Sequence, residues 1–339
     1  MPHLSEKASD VSESRCVILN YEEELLQCCK FYPIPTPKEF SPAGQCLAVK
    51  QDICEGFFWL YSEDDLFNIK IQNFFFRQDQ LFDPQALNWP DSLSIVYCES
   101  VSGEEFMPYR RLTAGCVKTF FGNRHPCKTL YHKNVPIKSV SIEIFPAYYQ
   151  QYLKKVFPVE YQNPYEAFQE IDQTNDFPEM VTLLRQVQSY RGEGMAARLF
   201  YRSKVSEAVA LMIQHTQTHP KQEPLPVSQE DREALGNIAA YMNDHYNRTI
   251  LLEQLAKIAC MGTTKLKKSF HQVYGCTITE YIRQRRLSQG ENLLATTDFS
   301  IEQIALTVGY SNAGRFSKDF RSSTGLNPSE YRKLSQRNE

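Results

Sequence analysis

The sequence predicts a multidomain chain: a β-rich N-terminal domain, a helical segment, and an all-α C-terminal domain of two helix-turn-helix subdomains joined by a long helix. Three observations predict it. The 339 residues exceed a typical single domain. Short apolar or aromatic runs separated by Pro and Gly fill residues 16–145, and patterns of helical period follow them. The last third also writes one short pattern twice. Leu255-Ala256, Leu266, Phe270, Gly275 and Glu280-Tyr281 recur as Ile304-Ala305, Phe316, Phe320, Gly325 and Glu330-Tyr331. The first pair recurs at an offset of 49 and the later ones at 50, so the second copy holds one extra residue between the Ala and the Phe.

Residues 1–15 are polar and are expected to be disordered. Residues 16–145 hold the β pattern. Its runs include Cys46-Leu47-Ala48-Val49, Gly56-Phe57-Phe58-Trp59-Leu60, Leu93-Ser94-Ile95-Val96-Tyr97 and Val140-Ser141-Ile142-Glu143-Ile144, rich in β-branched and aromatic residues. Phe74, Phe75 and Phe76 read as part of an aromatic core. Residues 146–218 read as helices over Pro146–Phe157, Asn163–Asp172, Phe177–Tyr190 and Gly194–Thr218. The last carries Tyr201, Val205, Ala208 and Met212 on one face, a stripe that packs within its own domain or forms a homodimer interface. Residues 219–228, HPKQEPLPVS, hold three prolines and no helix can cross them, which marks a linker.

Residues 229–335 form the duplicated part. Asp231–Asn243 and Leu251–Ile258 are helical, and a turn at Cys260-Met261-Gly262 precedes a helix over Thr263–Tyr274. Ser or Thr at that helix start suits the unpaired N-terminal amides. The second copy repeats the plan with Ser300 as cap, Ile301–Thr307, a turn at Gly309-Tyr310-Ser311, and a helix over Asn312–Ser322. Thr277–Thr296 joins the copies as one long helix carrying Arg283, Arg285 and Arg286. Helix, short turn and second helix is the arrangement that sends its second helix into the major groove. If Leu266 and Phe270 face the core, then Thr264, Lys267, Lys268 and His271 face away and can reach base edges or phosphates. Phe316 and Phe320 likewise leave Asn312, Ala313, Arg315, Lys318 and Arg321 for the groove.

Charge agrees with this division. Residues 229–339 carry 15 Lys+Arg against 12 Asp+Glu, whereas the remainder carries 22 against 28. A basic part suited to DNA is thus joined to an acidic part suited to sensing or oligomerisation. No run approaches the ~18 apolar residues of a membrane span. The N-terminus lacks a signal-peptide core, so a soluble cytoplasmic protein is expected, without membrane association and with its 10 cysteines reduced.

Two blocks, LAKIACMGTTKLKKSFHQVYGCTITEYIRQRRL and IEQIALTVGYSNAGRFSKDFRSSTGLNPSEYRK, resemble the AraC/XylS family of bacterial transcription regulators. The match runs over about Ile238 to Leu334. The resemblance implies a sequence-specific binder of double-stranded DNA that works with RNA polymerase, as an activator responding to an unknown small-molecule effector. It carries base-facing positions onto Thr264, Lys267 and Lys268, and onto Ala313, Gly314, Ser317 and Lys318. Gly314 offers no side chain and costs ~1 kcal/mol in a helix, which weakens the second reader. The segment from Phe177 through GEGMAARLFYRSKVSEAVALMI is similar to the siderophore-responsive subgroup, which would make the β-rich part a cupin-like sensor. The alternative is a constitutive or partner-gated DNA binder whose N-terminal domain only dimerises.

His125, Cys127 and His132 supply metal-ligating types, and Cys28, Cys29, Cys46, Cys54 and Cys116 add thiols. No C-x-x-C pair accompanies them, so neither a metal site nor a cofactor is expected. Pro126-Cys127-Lys128 faintly resembles the nucleophile site of DNA-repair methyl acceptors, but their four-cysteine zinc spacing is absent and no enzyme activity is expected.

Overall fold

Alternating Val, Ile and aromatic residues build the first half of the chain into strands. The computed structural model describes residues 31–336 apart from 51–52, 64, 84–90, 107–108, 123–127, 172–176 and 219–226. The polar N-terminus, most of the Pro-rich linker, Cys28, Cys29, His125 and Cys127 therefore lie outside the described residues. The strands are β1 (Phe31–Ile34), β2 (Gln45–Lys50), β3 (Cys54–Glu63), β4 (Phe67–Phe76), β5 (Gln80–Phe82), β6 (Leu93–Ser100), β7 (Gly103–Phe106), β8 (Arg110–Arg111), β9 (Val117–Phe120), β10 (Lys128–Tyr131) and β11 (Ile137–Ile144). The four apolar runs singled out in the sequence all fall inside strands.

One sheet has the order β1-β2-β3-β4-β11-β6-β9. Its antiparallel register sets Trp59 opposite Ile71 and Tyr61 opposite Ile69, and places Val140 and Ile142 beside the same two isoleucines. Side chains two apart share a face, so all six enter one core. Phe58 and Phe74 point the other way and stack at 4.8 Å between centroids, while Phe76 meets Phe74 edge-on at 5.4 Å. Phe74 and Phe76 are thus half-buried on a second face, whereas Phe75 is half-buried on the sheet face of Ile69 and Ile71.

Helices cover the main core. A π-helical turn, Ala147–Tyr152, leads into α1 (Leu153–Val156), where the sequence suggests one regular helix. The wider turn lets consecutive Tyr148 and Tyr149 both be buried. Asn163 caps α2 (Pro164–Glu170) by accepting the Tyr165 N–H at 3.1 Å. Met180, Leu183, Leu184 and Val187 line the buried face of α3 (Pro178–Ser189). On α4 (Gly194–Thr218), Tyr201, Val205, Ala208 and Met212 are buried in the same core, with the Tyr201 ring 4.5 Å from that of Tyr61. The stripe packs inside its own unit.

The C-terminal helices are α5 (Gln229–His245), α6 (Leu252–Ile258), α7 (Thr263–Tyr274), α8 (Ile278–Thr296), α9 (Ile301–Thr307), α10 (Ala313–Thr324) and α11 (Pro328–Ser335). Local chemistry sets their ends. Thr277 and Glu280 cap α8 reciprocally, and Ser300 and Gln303 do the same for α9, each box satisfying two otherwise orphaned amides. Gly275 and Gly325, 50 residues apart, end α7 and α10 in the left-handed region at φ +68° and +79°. The cap of α7 is Gly262 without a side-chain bond, and Thr263 is the first residue of the helix rather than its cap.

The extra residue of the second copy can be assigned. Met261 N–H donates to Ala256 O and Tyr310 N–H to Ala305 O, an offset of 49. The helix caps Gly262 and Asn312 already stand 50 apart. Ser311, between Tyr310 and the cap, is the insertion, and the frame of the helix that follows is untouched.

Two cores result. Leu235, Ile238, Met242, Leu255, Leu266, Phe270 and Tyr281 form the first; Leu287, Leu294, Ile304, Val308, Phe316, Phe320 and Tyr331 form the second. Truncating a buried Phe to Ala in such a core costs about 3–5 kcal/mol. Helix α8 contributes to both. At Gly290 an added Cβ would lie 2.7 Å from the Phe316 ring, so only glycine admits this approach. Arg286 of α8 donates from Nε to Tyr246 O at 2.7 Å and from Nη2 to Arg248 O at 3.0 Å, at the end of α5. Its guanidinium also lies 6.0 Å from the Tyr310 ring centroid, in the turn of the second copy.

The chain divides into two units. One takes in Met1–Glu99, Gly115–Pro126 and Pro136–Pro220; the other takes in Ser100–Ala114, Cys127–Val135 and Lys221–Glu339. Two pieces of the β region therefore belong to the helical unit, a partition that differs from a boundary at 145/146. Within that unit β7 pairs antiparallel with β8 and with β10. This strap surrounds Glu291 of α8, whose side chain is 2% exposed. Arg111 Nη2 bonds to Glu291 Oε1; Ser102 Oγ donates to the same oxygen at 2.8 Å, and His132 Nδ1 lies 3.4 Å from Oε2. Tyr331 of α11 approaches Ser102 at 3.4 Å. A buried carboxylate is tolerable only with such partners.

Burial alone would raise the Glu291 pKa, but Arg111, His132 and Ser102 hold it below the ordinary 4.5. Burial alone would lower that of His132, yet Glu291 carries it above the ordinary 6.5. The carboxylate therefore stabilises the fold above pH 4.5, and that contribution fades as pH falls through its lowered pKa. The imidazolium stabilises it below pH 6.5, and that contribution fades as pH rises through its raised pKa. Thermal melts should show the cluster contributing most between those two values, and His132→Gln should flatten the decline on the alkaline side.

Candidate nucleic-acid interface

The second helices of the two repeats, α7 and α10, share a frame offset by 50, and the residues facing solvent obey it. On α7, Leu266 and Phe270 are buried, while Thr264, Lys267, Lys268 and His271 are exposed. Their spacing of i, i+3, i+4, i+7 makes one continuous stripe. On α10, Phe316 and Phe320 are buried, and the matching stripe is Gly314, Ser317, Lys318 and Arg321, of which Ser317 is half-buried. The structure thus gathers the sequence-predicted residues onto two solvent-facing stripes. Arg315 is also exposed, one position off its stripe.

Two predicted residues serve the helix start instead. Asn312 is the cap of α10, and its Oδ1 accepts the Arg315 N–H at 2.9 Å. Ala313 is half-buried, and its N–H donates to Glu302 Oε2 at 3.1 Å. Glu302 places a carboxylate at the positive end of α10, a feature no pattern in the sequence announces.

The stripes differ in charge. Lys267 and Lys268 form no ion pair among the described residues, whereas Lys265 is held by Asp231 of α5 at 2.9 Å. The first stripe therefore presents Lys267 and Lys268 with His271; the second presents Lys318 and Arg321. Glu280 lies near His271 in the next helix. Burial works against its charge, but the Thr277 hydrogen bonds, Arg283 and His271 hold its carboxyl below the ordinary value.

Sequence reasoning missed the residues that position the stripes. Asp319 accepts from the Tyr310 hydroxyl at 3.1 Å and so ties α10 to its own turn; burial first, then Asp319, raises the Tyr310 pKa. Arg286 and the strap act over sequence separations of about forty and nearly two hundred residues. No local signal could have found them.

No His/Cys/Asp/Glu group with the shape of a metal site exists among the described residues. His132 instead faces Ser102 and Glu291. Burial pushes the Cys98 and Cys276 thiols up to about 11. No described helix is long and apolar enough to cross a membrane.

Residues 255–334 match a family model described as a helix-turn-helix domain. The bifunctional transcriptional activator/DNA repair enzyme AdaA of Bacillus subtilis is 31% identical over 120 residues, which is 35% of this chain and 55% of that protein. The XylDLEGF operon transcriptional activator 2 of Pseudomonas putida is 35% identical over 96 residues, 27% of this chain and 61% of its own length. The chain thus spans a little over half the length of these two relatives. Among solved structures, the DNA-binding domain of AdpA, a global transcriptional factor in complex with a target DNA, is 25% identical over 30% of this chain and 90% of that one, with a TM-score of 0.29.

Gly314 gives the stripes a simple test. A Cβ there would meet only Asn312 Oδ1, at 3.4 Å. Gly314→Ala should therefore raise stability by about 0.5–1 kcal/mol in urea unfolding, the helix-propensity gain. A loss of stability would place that position against something other than solvent.

Proposed function

We propose that the chain, whose residues 255–334 match a helix-turn-helix domain, is a sequence-specific transcription regulator of the AraC type that activates by bringing RNA polymerase to duplex DNA. The observation that carries this reading is the pair of exposed stripes, Thr264/Lys267/Lys268/His271 and Gly314/Ser317/Lys318/Arg321, in one repeated frame. Two helix-turn-helix subdomains on a shared helix suit successive major-groove faces, about 34 Å apart along the duplex. Lys267 and Lys268 contact guanine edges or phosphates in the first groove. Lys318, Arg321 and Arg315 hold the second mainly by charge, since Gly314 and the small Ser317 offer little to read bases with.

Lys267→Ala checks the reading in a duplex-binding assay across salt concentrations. Loss of about 1–3 kcal/mol for the preferred sequence alone assigns a base contact; a uniform loss with a salt slope shallower by about one assigns a phosphate. Unchanged affinity on both counts removes α7 from the groove.

The seven-stranded sheet with its helical cover is the cupin-like sensor in this reading, and the protein works in the cytoplasm as a small-molecule-responsive activator. Its effector should raise the melting temperature in proportion to RT ln(1 + [L]/Kd) across a panel of metabolites and siderophores. A panel without any shift would favour the constitutive or partner-gated binder. AdaA is named a DNA repair enzyme as well as an activator. The likeness to it lies in the helix-turn-helix region, and we assign this chain no catalytic step.

A further inference from the structure

The strap, Ser100–Ala114 with Cys127–Val135, touches both halves of the DNA-reading unit. Against the first half, Tyr109 packs on the core that holds Phe270, with its ring 6.1 Å from that of Tyr281. Arg285 of α8 lies 5.0 Å over the Tyr109 ring, and Glu104 accepts the Tyr109 hydroxyl at 2.8 Å while bonding to Ser288 of α8. Against the second half, Val135 enters the core that holds Phe316 and Phe320.

The strap also finishes the second recognition helix. The last carbonyls of a helix lack intrahelical partners. Ala114 N–H donates to Ser323 O at 2.6 Å and Val101 N–H to Thr324 O at 3.3 Å, both in the last turn of α10. Arg111 donates from Nε to Ser323 Oγ at 2.9 Å and from Nη2 to Glu291, so one guanidinium ties α10 to α8. At the matching positions of α7, Val273 and Tyr274, no such backbone bond from outside the helix occurs among the described residues. Among the described residues, backbone bonds from the strap reach the last turn of the second reader and not that of the first.

Resting on the reading of α7 and α10 as DNA readers, we propose that the strap is a positioning element for DNA recognition: Tyr109 on the first core and Arg111 on Glu291 and Ser323 fix the separation of the two recognition helices, and so the half-site spacing the protein accepts. The strap is not covered by the resemblance of residues 238–334 and contributes no residue to either stripe. It acts through α8 and α10, and its effect falls on geometry rather than on contacts.

The test uses the full chain and a duplex it selects from a random pool, alongside the same duplex with one base pair inserted or deleted between the half-sites. Each such change moves one half-site by about 3.4 Å along the axis. The unaltered protein should lose at least about tenfold in affinity on the altered duplexes, within the usual cost of a mismatched site. Arg111→Met combined with Glu291→Met removes both buried charges together, an exchange that buried ion pairs often survive. This double variant should bind all three duplexes within about threefold of one another while melting as a folded protein. Ser323→Ala, which cuts only the bond to α10, should move the same way to a smaller degree, and it carries the test if the double variant does not fold. Spacing discrimination unchanged in a folded variant, or affinity lost equally at every spacing, overturns the proposal. A wild-type chain that selects no duplex would instead overturn the DNA-binding reading itself.

Discussion

Helix α8 has to serve two cores at once, and most of the C-terminal unit follows from how it does so. Tyr281 near its start is buried among Leu266 and Phe270; Leu287 and Leu294 further along are buried among Phe316 and Phe320. A straight helix rises 1.5 Å per residue, so these positions set the distance and rotation between the two cores. Gly290 removes the side chain that would otherwise hold α10 away, and Arg286 holds the end of α5 against the second turn. The capping box at Thr277 and Glu280 fixes where the helix begins, and therefore which of its faces meets each core.

Duplication preserved the frame and let the surface diverge. The cap-to-glycine length is the same in α7 and α10, and the one inserted residue, Ser311, was absorbed in the turn before the cap. Packing explains this difference. A residue added inside either recognition helix would rotate every later side chain by about 100° and expose a buried Phe. A residue added before the cap costs only loop geometry. The exposed stripes carry no such constraint, so one could gain two lysines while the other kept a glycine.

The strap introduces a second kind of constraint. Buried charge is costly unless every partner is in place, and Glu291 has Arg111, His132 and Ser102 around it, with Tyr331 on Ser102. That network is directional where apolar packing is not, and it ties α8 to a segment from the middle of the β-rich sequence. A helix pair held only by apolar contact can slide by a fraction of a turn. One held through a forked guanidinium to a carboxylate and a serine has a single register.

The sequence alone determined whatever depends on neighbours in the chain. Strand alternation, the stripe on α4, the repeated glycines, the Ser300 cap and the two Phe-centred helices were legible because side-chain period and capping are local rules, whereas Thr263 gave way to Gly262 as the cap of α7. The exposed residues of α7 were legible for the same reason, since Thr264, Lys267, Lys268 and His271 stand at helical spacing opposite the buried Leu266 and Phe270. Tertiary structure decided the rest: that Lys265 is tied to Asp231, that the α4 stripe packs within its own unit, and that residues 100–114 and 127–135 belong with the helices. Each depends on groups brought together from distant parts of the chain. Arg111 and Glu291 are 180 residues apart, and no periodicity links them. Their pairing arises only because an ion pair excluded from water must be completed by whatever the fold places beside it.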